Sequence, residues 1–527
     1  MLSVSRRALL LASFLAAFPR AFAAEERTLR RGNRYEPATL DPHLVNTSYE
    51  LASVGDLFEG LVTYAAAGEP VPGAAASWTV SPDGKRYTFT LRPNLAWSDG
   101  VAITSDDAVY SFRRLMNPKT AATFAPLLYV LANGRAVNMG AMPLEALGVS
   151  APDPMTVVVE LNAPAPYLPQ ILASAYASLV PRHVIAARGD TWTRPGVMVS
   201  NGAFTLEIWQ PQNRIVLGHN PKFHSAADVK LTRVAYIPTA DANSGLARFK
   251  AGELDMQLDL PLSQIQALRM DMPVETHLTP TLLTYYLALN TTLPKLSDPR
   301  VRRALSLAID REILTSKVLR GGEKPAFSFV PPIVAAYEPA ALDFAATPSE
   351  ARLLEARALL AAAGYGASNP LQIVYNHSAN LDLRRIAVVI AGMWKRVGVE
   401  TTLLNLEGKV HFANLRQGNF EAAFVGWAAD FNDASSFLYV LDSNTTASNY
   451  SRYKNPAFDT YLARAAALEN APARAALLHQ AEDLAMKDQP IIPLYYGVTK
   501  SLVSQRVIGW RANSVDVHLS RYLSLAS

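Results

Sequence analysis

A helix that passes directly into a strand is the feature that most constrains how this chain can fold. Apolar residues recur at helical spacing over residues 383–396, and Gly398 ends the run. Residues 399–404 then have the composition of a strand. A helix that is followed at once by a strand predicts an α/β architecture.

Two earlier segments agree with this prediction. Asp298 is a helix-capping residue and Pro299 fits the first helical position, and the apolar spacing that follows predicts one helix ending near Gly321. The side chains of residues 87–91 alternate with a period of two, and Pro93 ends this pattern. The alternation predicts a strand. Helices and strands are therefore both expected along the chain.

The length of 527 residues is too great for one ordinary core. A prior of roughly 150 residues per domain suggests about three units. Half of the residues are hydrophobic and 18% are charged, which is typical of a folded globular protein.

Residues 1–23 are predicted to be a secretory signal peptide. Arg6 and Arg7 precede an apolar run over residues 8–18, and Ala21 and Ala23 form a small-residue cleavage site, so we expect cleavage after Ala23. The paired arginines also fit a twin-arginine export signal. The sequence leaves the two export routes open.

Cysteine is absent, which excludes disulfides, thiolate metal sites and the lipidated cysteine of bacterial lipoproteins. After the signal, no apolar run approaches the roughly 20 residues that a membrane helix needs. An exported protein without either anchor would diffuse away unless an outer membrane retained it. We therefore predict a periplasmic protein.

The charge of the chain argues against a polyanionic partner. Removing Arg6, Arg7 and Arg20 with the signal leaves 46 of the 49 basic residues against 45 acidic residues. A net charge near +1 without a basic stripe predicts no nucleic-acid binding.

Motifs for catalysis or cofactor binding are missing from the sequence. It contains no G-x-S-x-G elbow, H-E-x-x-H zinc helix or phosphate-binding glycine loop. His219 and His224 are predicted to be surface turn residues, with metal ligation as the alternative. We therefore predict no enzyme activity, no cofactor and no metal, while a hydrolase built from distant residues stays open.

A series of short motifs, in order along the chain, carries a family resemblance. The motifs are LDPH at Leu40, DLFEGL at Asp56, PGAAASW at Pro72, WSDG at Trp97, VSNGAF at Val199, HNP at His219, TYY at Thr284, DPRVRRA at Asp298 and GWAADFND at Gly426. In this order they resemble the oligopeptide-binding branch of the peptide/opine/nickel solute-binding proteins of ABC importers. The resemblance covers nearly all of the chain after the signal.

The resemblance implies a fold of two α/β lobes joined by two crossover strands, the type II periplasmic-binding-protein or Venus-flytrap fold. One lobe carries an extra, mostly β subdomain. Mapped onto this chain, the first lobe takes residues 25–58, 183–285 and 499–527. The extra subdomain takes residues 59–182, and the second lobe takes residues 286–498.

The resemblance also implies a function, hinge closure around a ligand. The expected ligand is a short peptide that lies extended between the lobes and pairs through its main chain as an added strand. The closed form would then deliver the peptide to the permease subunits of an ABC importer in the inner membrane. A monomer is expected.

Asp430 matches the family acid that holds the free α-amino group of the peptide. A carboxylate that loses water in a closing cleft is stabilised by a charge-assisted hydrogen bond from an ammonium. A turn position before a helix is the alternative role, although Asn432 or Asp433 can cap that helix. Gly426 and Ala428 match positions whose main chain pairs with the peptide, with plain strand packing as the alternative.

Several aromatic residues lie near the expected cleft. Trp427 either walls a side-chain pocket or fills the core. Phe124 lies where relatives often have a tyrosine near the cleft, so it keeps the ring and loses the hydroxyl, with core packing as the alternative. Tyr285 and Tyr286 point to opposite faces of one strand, so at most one of them faces the ligand. Position alone does not choose between them, and Tyr286 is the candidate in our site prediction.

Other residues of the motifs are expected to be structural. Trp78 and the turn over residues 97–100 are family hallmarks that anchor a strand and form a turn. Arg302 and Arg303 are expected on a solvated face of a helix.

The chain departs from the family pattern where the ligand's anionic end is expected. Asn46 stands where relatives carry an acid, Phe424 replaces an arginine and Leu383 replaces a histidine. In relatives the arginine and histidine help to receive peptide C-termini. The candidate substitutes are Arg416, Arg384 and Arg385.

A rival within the binding class is a receptor for another amine-bearing solute, such as a modified or cell-wall peptide. Asp430 is compatible with this rival because it requires only an amine. A nickel or haem carrier is less supported, since the sequence has no cluster of histidines.

Overall fold

The computed structural model describes residues 28–445 and 448–526. The predicted signal peptide and its cleavage site lie outside the described residues.

The strands are numbered along the chain. They are β1 (Thr28–Gly32), β2 (Val62–Tyr64), β3 (Pro70–Pro72), β4 (Ala75–Val80), β5 (Arg86–Leu91), β6 (Val149–Asp153), β7 (Thr156–Glu160), β8 (Phe204–Gln210), β9 (Arg214–His219), β10 (Arg233–Ile237), β11 (Met256–Leu258), β12 (Thr276–Leu289), β13 (Lys324–Pro325), β14 (Leu371–Ser378), β15 (Val399–Leu406), β16 (Ala422–Ala428), β17 (Ile491–Val503), β18 (Val507–Ile508) and β19 (Ser524–Leu525).

The α-helices are numbered in the same way. They are α1 (Ser48–Leu57), α2 (Ser105–Met116), α3 (Gly134–Asn138), α4 (Leu168–Ala173), α5 (Arg182–Arg188), α6 (Ala242–Lys250), α7 (Ile265–Asp271), α8 (Pro294–Ser297), α9 (Pro299–Leu307), α10 (Arg311–Ile313), α11 (Ser349–Ala362), α12 (Leu381–Lys395), α13 (Gly408–Gln417), α14 (Ser435–Leu438), α15 (Pro456–Ala466) and α16 (Ala471–Asp488).

Short 3-10 helices connect several of these elements, and one segment is a π-helix. The 3-10 helices are Pro118–Thr120, Ala125–Val130, Leu144–Ala146, Ala175–Ala177, Gly189–Thr191, Ala226–Asp228, Leu262–Gln264, Tyr439–Leu441 and Ser520–Tyr522, and the π-helix is Leu314–Leu319.

The main sheet has the strand order β15-β14-β16-β12-β17-β11-β1-β10-β9-β8, with β13 also paired to β17. Parallel pairs (β14 with β15 and with β16, β1 with β10 and with β11) lie in both halves of the sheet. Helices cover these parallel regions, as the predicted α/β architecture requires. The prediction of that architecture is confirmed.

The long strands β12 and β17 run through both halves of the main sheet. They pair in two blocks, first over residues 276–280 and then over residues 284–288, with an interruption of the register between Pro280 and Thr284. At this interruption the Leu283 side chain lies on Gly497, where an added Cβ would come within 2.7 Å of it. The two strands lie where the family resemblance expects the crossover connections.

A second, antiparallel sheet has the order β4-β5-β7-β6. Its strand β5 confirms the strand predicted over residues 87–91. Tyr87 and Phe89 on this strand are buried, with their ring centroids 6.2 Å apart.

Two large hydrophobic cores divide the described residues. The first core is formed by residues between Leu29 and Met256, together with Val503, Val507 and Leu523 near the end of the chain. The second core takes residues between Leu282 and Tyr495. A fold with two cores joined by β12 and β17 has the parts that hinge closure needs.

The helix predicted from Asp298 to near Gly321 is interrupted. The helix α9 ends at Leu307, and Asp310 then caps a new turn by accepting a hydrogen bond from the Ile313 N–H at 3.1 Å. The apolar spacing continues across the break, so spacing alone did not show it. The predicted helix and strand around Gly398 are confirmed as α12 and β15, and Gly398 has φ +86°.

Two expectations about surface residues are wrong. Arg302 is 6% exposed and donates to the carbonyl oxygens of Leu296, Ser297 and Asp488. His224 is half-buried, and its Nε2 lies 2.8 Å from a carboxylate oxygen of the buried Glu59. Each side chain satisfies buried polar groups of its own lobe.

No helix within residues 28–445 and 448–526 has the length and apolar character of a membrane span. The same residues contain no group of three or more His, Cys, Asp or Glu side chains placed to hold a metal ion.

Candidate ligand-binding site

The open edge of β16 is the centre of the candidate site. In the described part of the chain, β14 pairs with β16 only as far as Ala423. On the other side the Ala429 N–H donates to the Leu282 carbonyl at 2.8 Å, and alternate residues of a strand direct their main chain to the same side. The N–H and C=O groups of Gly426 and Ala428 therefore face the open edge.

A contact at Phe424, two residues before Gly426 on β16, agrees with this assignment. The His411 Nε2 lies 2.9 Å from the Phe424 carbonyl oxygen, and Phe424 shares the strand period of Gly426. The open edge beyond Phe424 is therefore available to a main-chain partner, as the prediction for Gly426 and Ala428 requires.

Gly426 lies opposite Tyr285 in the register of β16 and β12. A Cβ at Gly426 would lie 2.8 Å from a carbon of the Tyr285 ring, so any larger residue would displace that ring. The half-buried Tyr285 ring also packs on Tyr495, with centroids 4.7 Å apart. Tyr285 is thus the aromatic neighbour of the open edge.

Tyr286 has a different environment from Tyr285. It is 2% exposed, and its ring lies edge-to-face on Phe329 in the second core, with centroids 5.2 Å apart. This burial argues against the predicted ligand contact for Tyr286. The strand period correctly separates the two tyrosines, but only the packing around them shows which one is accessible.

Asp430 lies two residues beyond the open edge and has no cationic partner among residues 28–445 and 448–526. Its N–H donates to the Ser436 Oγ at 2.9 Å. No hydrogen bond or ion pair from the described residues reaches its carboxylate, and burial raises the pKa of Asp430 to about 6. A desolvated carboxyl without a partner is characteristic of a functional site rather than of a stabilising contact.

The turn after Asp430 is held by another residue, Asp433. Its carboxylate accepts from the Ser435 N–H at 2.8 Å and from the Arg474 guanidinium at 2.6 and 2.8 Å. Asp433 therefore stabilises this turn, which was the alternative role considered for Asp430.

Trp427 braces the same loop from the side of the second core. Its Nε1 donates to the Ser436 carbonyl at 2.7 Å, and its ring is edge-to-face with Tyr439 at a centroid distance of 5.4 Å. The half-buried ring packs against the second core, which favours the packing role for Trp427.

Phe124 lies in the predicted extra subdomain. Its ring stacks on Tyr176 at a centroid distance of 4.6 Å, and the buried Tyr176 hydroxyl has no hydrogen-bond partner in the described part of the protein. Burial, followed by Tyr64 and Asp430, raises the pKa of Tyr176 well above its usual range. Tyr176 is therefore within electrostatic reach of the Asp430 carboxylate.

The predicted extra subdomain also contacts the Asp430 loop directly. The Gln170 side-chain amide exchanges two hydrogen bonds with the main chain of Asn432. Tyr167 stacks on Phe431 with ring centroids 4.4 Å apart. These contacts bring residues separated by about 260 positions to the rim of the candidate site.

Asn46 is exposed and lies just before α1. Its N–H donates to a carboxylate oxygen of Glu50 at 2.9 Å, beside the capping box that Thr47 and Glu50 form. A cavity of about 160 Å³ in the first lobe is lined by Arg34 before Asn46 and by Ser48 after it, but Asn46 itself does not line it. Nothing else in the structure marks Asn46 as a ligand contact.

Arg416 is directed away from the open edge. It follows His411 by five positions on α13, which at 3.6 residues per turn places the two side chains about 140° apart. Because the His411 ring contacts the open edge through Phe424, Arg416 points to the other side of the helix. Arg416 is the least favoured of the candidates for the anionic end.

A basic groove between the lobes contains the other candidates, Arg384 and Arg385. The groove has a volume of about 630 Å³. Leu262, Ser263 and Gln266 line it from the first lobe, and residues 317–320 with the start of α12 line it from the second. Its basic residues are Lys317, Arg320, Arg384 and Arg385, and the acid among its lining residues is Asp382.

Gln170, Tyr167 and Tyr176 were missed by the sequence analysis. A glutamine inside the apolar run of α4 was the only local signal for Gln170, and it is a weak one. Nothing in the sequence indicated that the partners of these side chains lie in the loop after β16.

Comparison with known proteins places the chain in a family. Residues 69–449 match the family model described as "Bacterial extracellular solute-binding proteins, family 5 Middle". The match covers most of the chain, including β16 and Asp430.

Individual relatives extend the match to nearly the full length. The Periplasmic oligopeptide-binding protein OppA of Escherichia coli (strain K12) is 38% identical over 494 residues, which cover 92% of this chain and 90% of the relative. The Probable deoxycholate-binding periplasmic protein YgiS of the same organism is 37% identical over 493 residues, covering 92% and 91%.

A solved structure supports the fold. The structure of the Escherichia coli murein tripeptide binding protein MppA is 36% identical, superimposes with a TM-score of 0.82, and is matched over 96% of this chain and 99% of that one. Its two-lobed fold confirms the predicted fold class.

Proposed function

The chain belongs to the bacterial extracellular solute-binding proteins, family 5, and we propose that it captures short peptides between its two lobes. The observation that supports this most is Asp430. Its carboxyl is desolvated and has no partner among the described residues, and it lies at the end of an open strand edge. A primary ammonium is the ligand group that would restore charge balance there.

The open edge of β16 gives such a ligand a place for its main chain. An extended peptide can add as a strand and pair with the N–H and C=O groups of Gly426 and Ala428. Pairing of this kind involves no ligand side chain, so it suits a receptor for peptides of varied sequence. The Tyr285 ring beside Gly426 would bound the space on one face of the added strand.

We propose the basic groove as the receiver of the ligand's anionic end. Arg384 and Arg385 line it together with Lys317, and these cations outnumber Asp382. Their exposed side chains suit a carboxylate whose position varies with the length of the ligand. This assignment offers substitutes for the residues lost at Phe424 and Leu383.

Hinge closure is proposed as the motion that buries the ligand. The two separate cores and the interrupted pairing of β12 and β17 near Leu283 support it. They also support the lobe boundaries given above, which remain a proposal.

We further propose that the protein is an exported, periplasmic monomer with a cleaved signal peptide. The closed form would pass its ligand to the permease subunits of an ABC importer without chemical change. Relatives that are named as periplasmic proteins support the compartment.

The test is a binding experiment with the protein freed of ligand. Calorimetry with alanine peptides of three to five residues should show binding, and acetylation of the peptide's amino end should greatly weaken it. Native mass spectrometry of gently purified protein should show co-purified peptides. Binding of acetylated and free peptides with equal affinity, or co-purification of only a metal or a sugar, would overturn the proposal.

Two rival functions have their own outcomes in the same experiment. Deoxycholate, named in one relative, has no amine, so strong deoxycholate binding without peptide binding would reassign the substrate class. Time-dependent cleavage of the peptides by pure protein would favour a hydrolase. Stable peptides after long incubation support a receptor that does no chemistry.

A further inference from the structure

The extra subdomain and the Asp430 loop meet in a contact that we call the clamp, formed by Tyr167, Gln170, Phe431 and Asn432. The Gln170 Nε2 donates to the Asn432 carbonyl at 3.2 Å, and the Asn432 N–H donates to the Gln170 Oε1 at 2.5 Å. The Tyr167 and Phe431 rings are nearly parallel, with an interplanar angle of 9°. The Arg474 guanidinium covers Tyr167 at 5.5 Å.

The clamp joins regions that otherwise belong to different cores. Phe431 packs against the first core, although β16, which leads into it, is part of the second. Asn432 is also fixed from the second lobe, because its Oδ1 accepts from the Ala335 N–H at 3.0 Å. The loop after Asp430 is therefore held from both sides.

The hydrogen bonding of the clamp is specific to an amide side chain. Gln170 donates with its NH2 group and accepts with its oxygen toward the main chain of one residue, and only Asn and Gln side chains can do both in this way. Glu and Lys would each lose one of the two bonds. The Gln170 amide therefore pairs with the N–H and C=O groups of Asn432 in the same way as the main chain of a neighbouring strand.

The groups that face Asp430 give it no counter-charge, so the clamp acts on its carboxyl by desolvation. Tyr176 from the subdomain and Tyr439 from the second lobe lie within electrostatic reach of it, and burial raises the pKa of both, so both are neutral at neutral pH. Arg474, the cation at this loop, is engaged by Asp433. The Asp430 carboxyl is thus partly shielded from water, and none of these groups gives it a counter-charge.

We propose that Gln170 is a positioning residue for the amine end of the ligand, whose pairing with Asn432 closes the extra subdomain over Asp430 and excludes water from the carboxylate. The inference rests on the proposed function, since it assigns Gln170 a role at the same ammonium site. The extra subdomain would then take part in ligand capture, in addition to enlarging the first lobe.

The experiment compares Gln170→Ala with the wild-type protein by calorimetry on trialanine from pH 5 to pH 7.5. Loss of the two hydrogen bonds should weaken binding about tenfold at pH 7.5. Water that enters the site should also lower the Asp430 pKa from about 6 toward the ordinary value near 4. The pH below which affinity declines should therefore fall by about one unit or more.

Two further variants serve as controls for the role of Gln170. Gln170→Met keeps the volume of the side chain but loses both hydrogen bonds, so it should weaken binding as Gln170→Ala does. Gln210→Ala removes an exposed glutamine of β8 whose Oε1 accepts from the side chains of Asn213 and Arg214, outside the proposed site, and should leave the affinity and the pH profile unchanged.

The outcomes separate this inference from the proposed function. If the wild-type protein does not bind trialanine or its longer homologues, the proposed function fails. If the wild-type protein binds and both Gln170 variants keep its affinity and its pH profile, Gln170 has no positioning role. An equal change in Gln210→Ala would mean that loss of any glutamine side-chain hydrogen bond has this effect and would also overturn the inference.

Discussion

Asp430 and Glu482 are carboxyl groups of the second lobe, the first half-buried and the second fully buried, and of the two only Glu482 is satisfied by the described residues. Glu482 accepts from the Val330 N–H at 2.7 Å, from the Ala340 N–H at 2.9 Å and from the Tyr337 hydroxyl at 2.7 Å. Burial raises the pKa of Glu482 to about 7 and that of Asp430 to about 6.

The comparison shows that a raised pKa alone does not separate a binding site from a core. Both groups meet the criterion of a perturbed carboxyl. The difference lies in the hydrogen bonds, because Glu482 has three donors and the Asp430 carboxylate has none among the described residues. A half-buried carboxylate without hydrogen-bond partners among the described residues requires an explanation, and the proposed ligand would supply it for Asp430.

The largest effect should come from Glu482→Ala, measured as stability. The change leaves two buried main-chain N–H groups and the Tyr337 hydroxyl without an acceptor, and it should lower the free energy of unfolding by about 3–5 kcal/mol. Urea denaturation without ligand measures this. The folded fraction should still bind trialanine normally, and a stable variant with weakened binding would contradict the structural role of Glu482.

Asp430→Asn should show the opposite pattern, a loss of binding with no loss of stability. Removing one partner of a desolvated charge pair should weaken peptide binding by about 2–5 kcal/mol. The empty protein should not be destabilised, because asparagine has no charge to desolvate.

Calorimetry with free and acetylated trialanine completes the test of Asp430. Acetylation and the asparagine variant remove the two partners of one interaction, so their effects should not add. Additive losses would show that Asp430 and the ligand's amino group do not meet.

The pH dependence of binding should follow the pKa of Asp430. The affinity should be constant near pH 7 and fall about tenfold per unit as the pH drops below 6, because the neutral carboxyl cannot pair with an ammonium. Bound ammonium keeps the carboxylate charged, so binding at pH 5 should release a proton. Calorimetry in two buffers detects that proton, and Asp430→Asn should give a flat profile.

The stability of the ligand-free protein should depend on pH with the opposite sign. Because folding raises the Asp430 pKa, this group should make the empty protein less stable as the pH rises from about 4 through 6. Glu482 should add to the same trend up to about pH 7. Thermal denaturation of the wild-type protein and of Asp430→Asn across this range separates the two contributions.

The smallest effect should come from the basic groove. Replacing Arg384 and Arg385 together by glutamine should weaken trialanine binding by about two- to fivefold at low salt, because exposed cations are screened by water and ions. The loss should shrink at high salt, unlike the loss caused by Asp430→Asn. Equal effects on a peptide with an amidated C-terminus would remove the groove from the site.

The sequence by itself determined the local parts of this molecule. The helix and strand predicted around Gly398 are correct, and the strand period correctly separated Tyr285 from Tyr286. These features depend on neighbours within a few residues. The family resemblance added the two-lobed fold, and the roles of the site residues stay predictions.

The tertiary structure alone decided what depends on distant contacts. It placed Tyr286 in the core and Tyr285 at the edge, ended α9 at Leu307, buried Arg302, and paired Gln170 with Asn432. Helical and strand periods give only the direction of a side chain relative to its own element. Whether that direction meets water, a core or another lobe depends on segments hundreds of residues away, which no local pattern records.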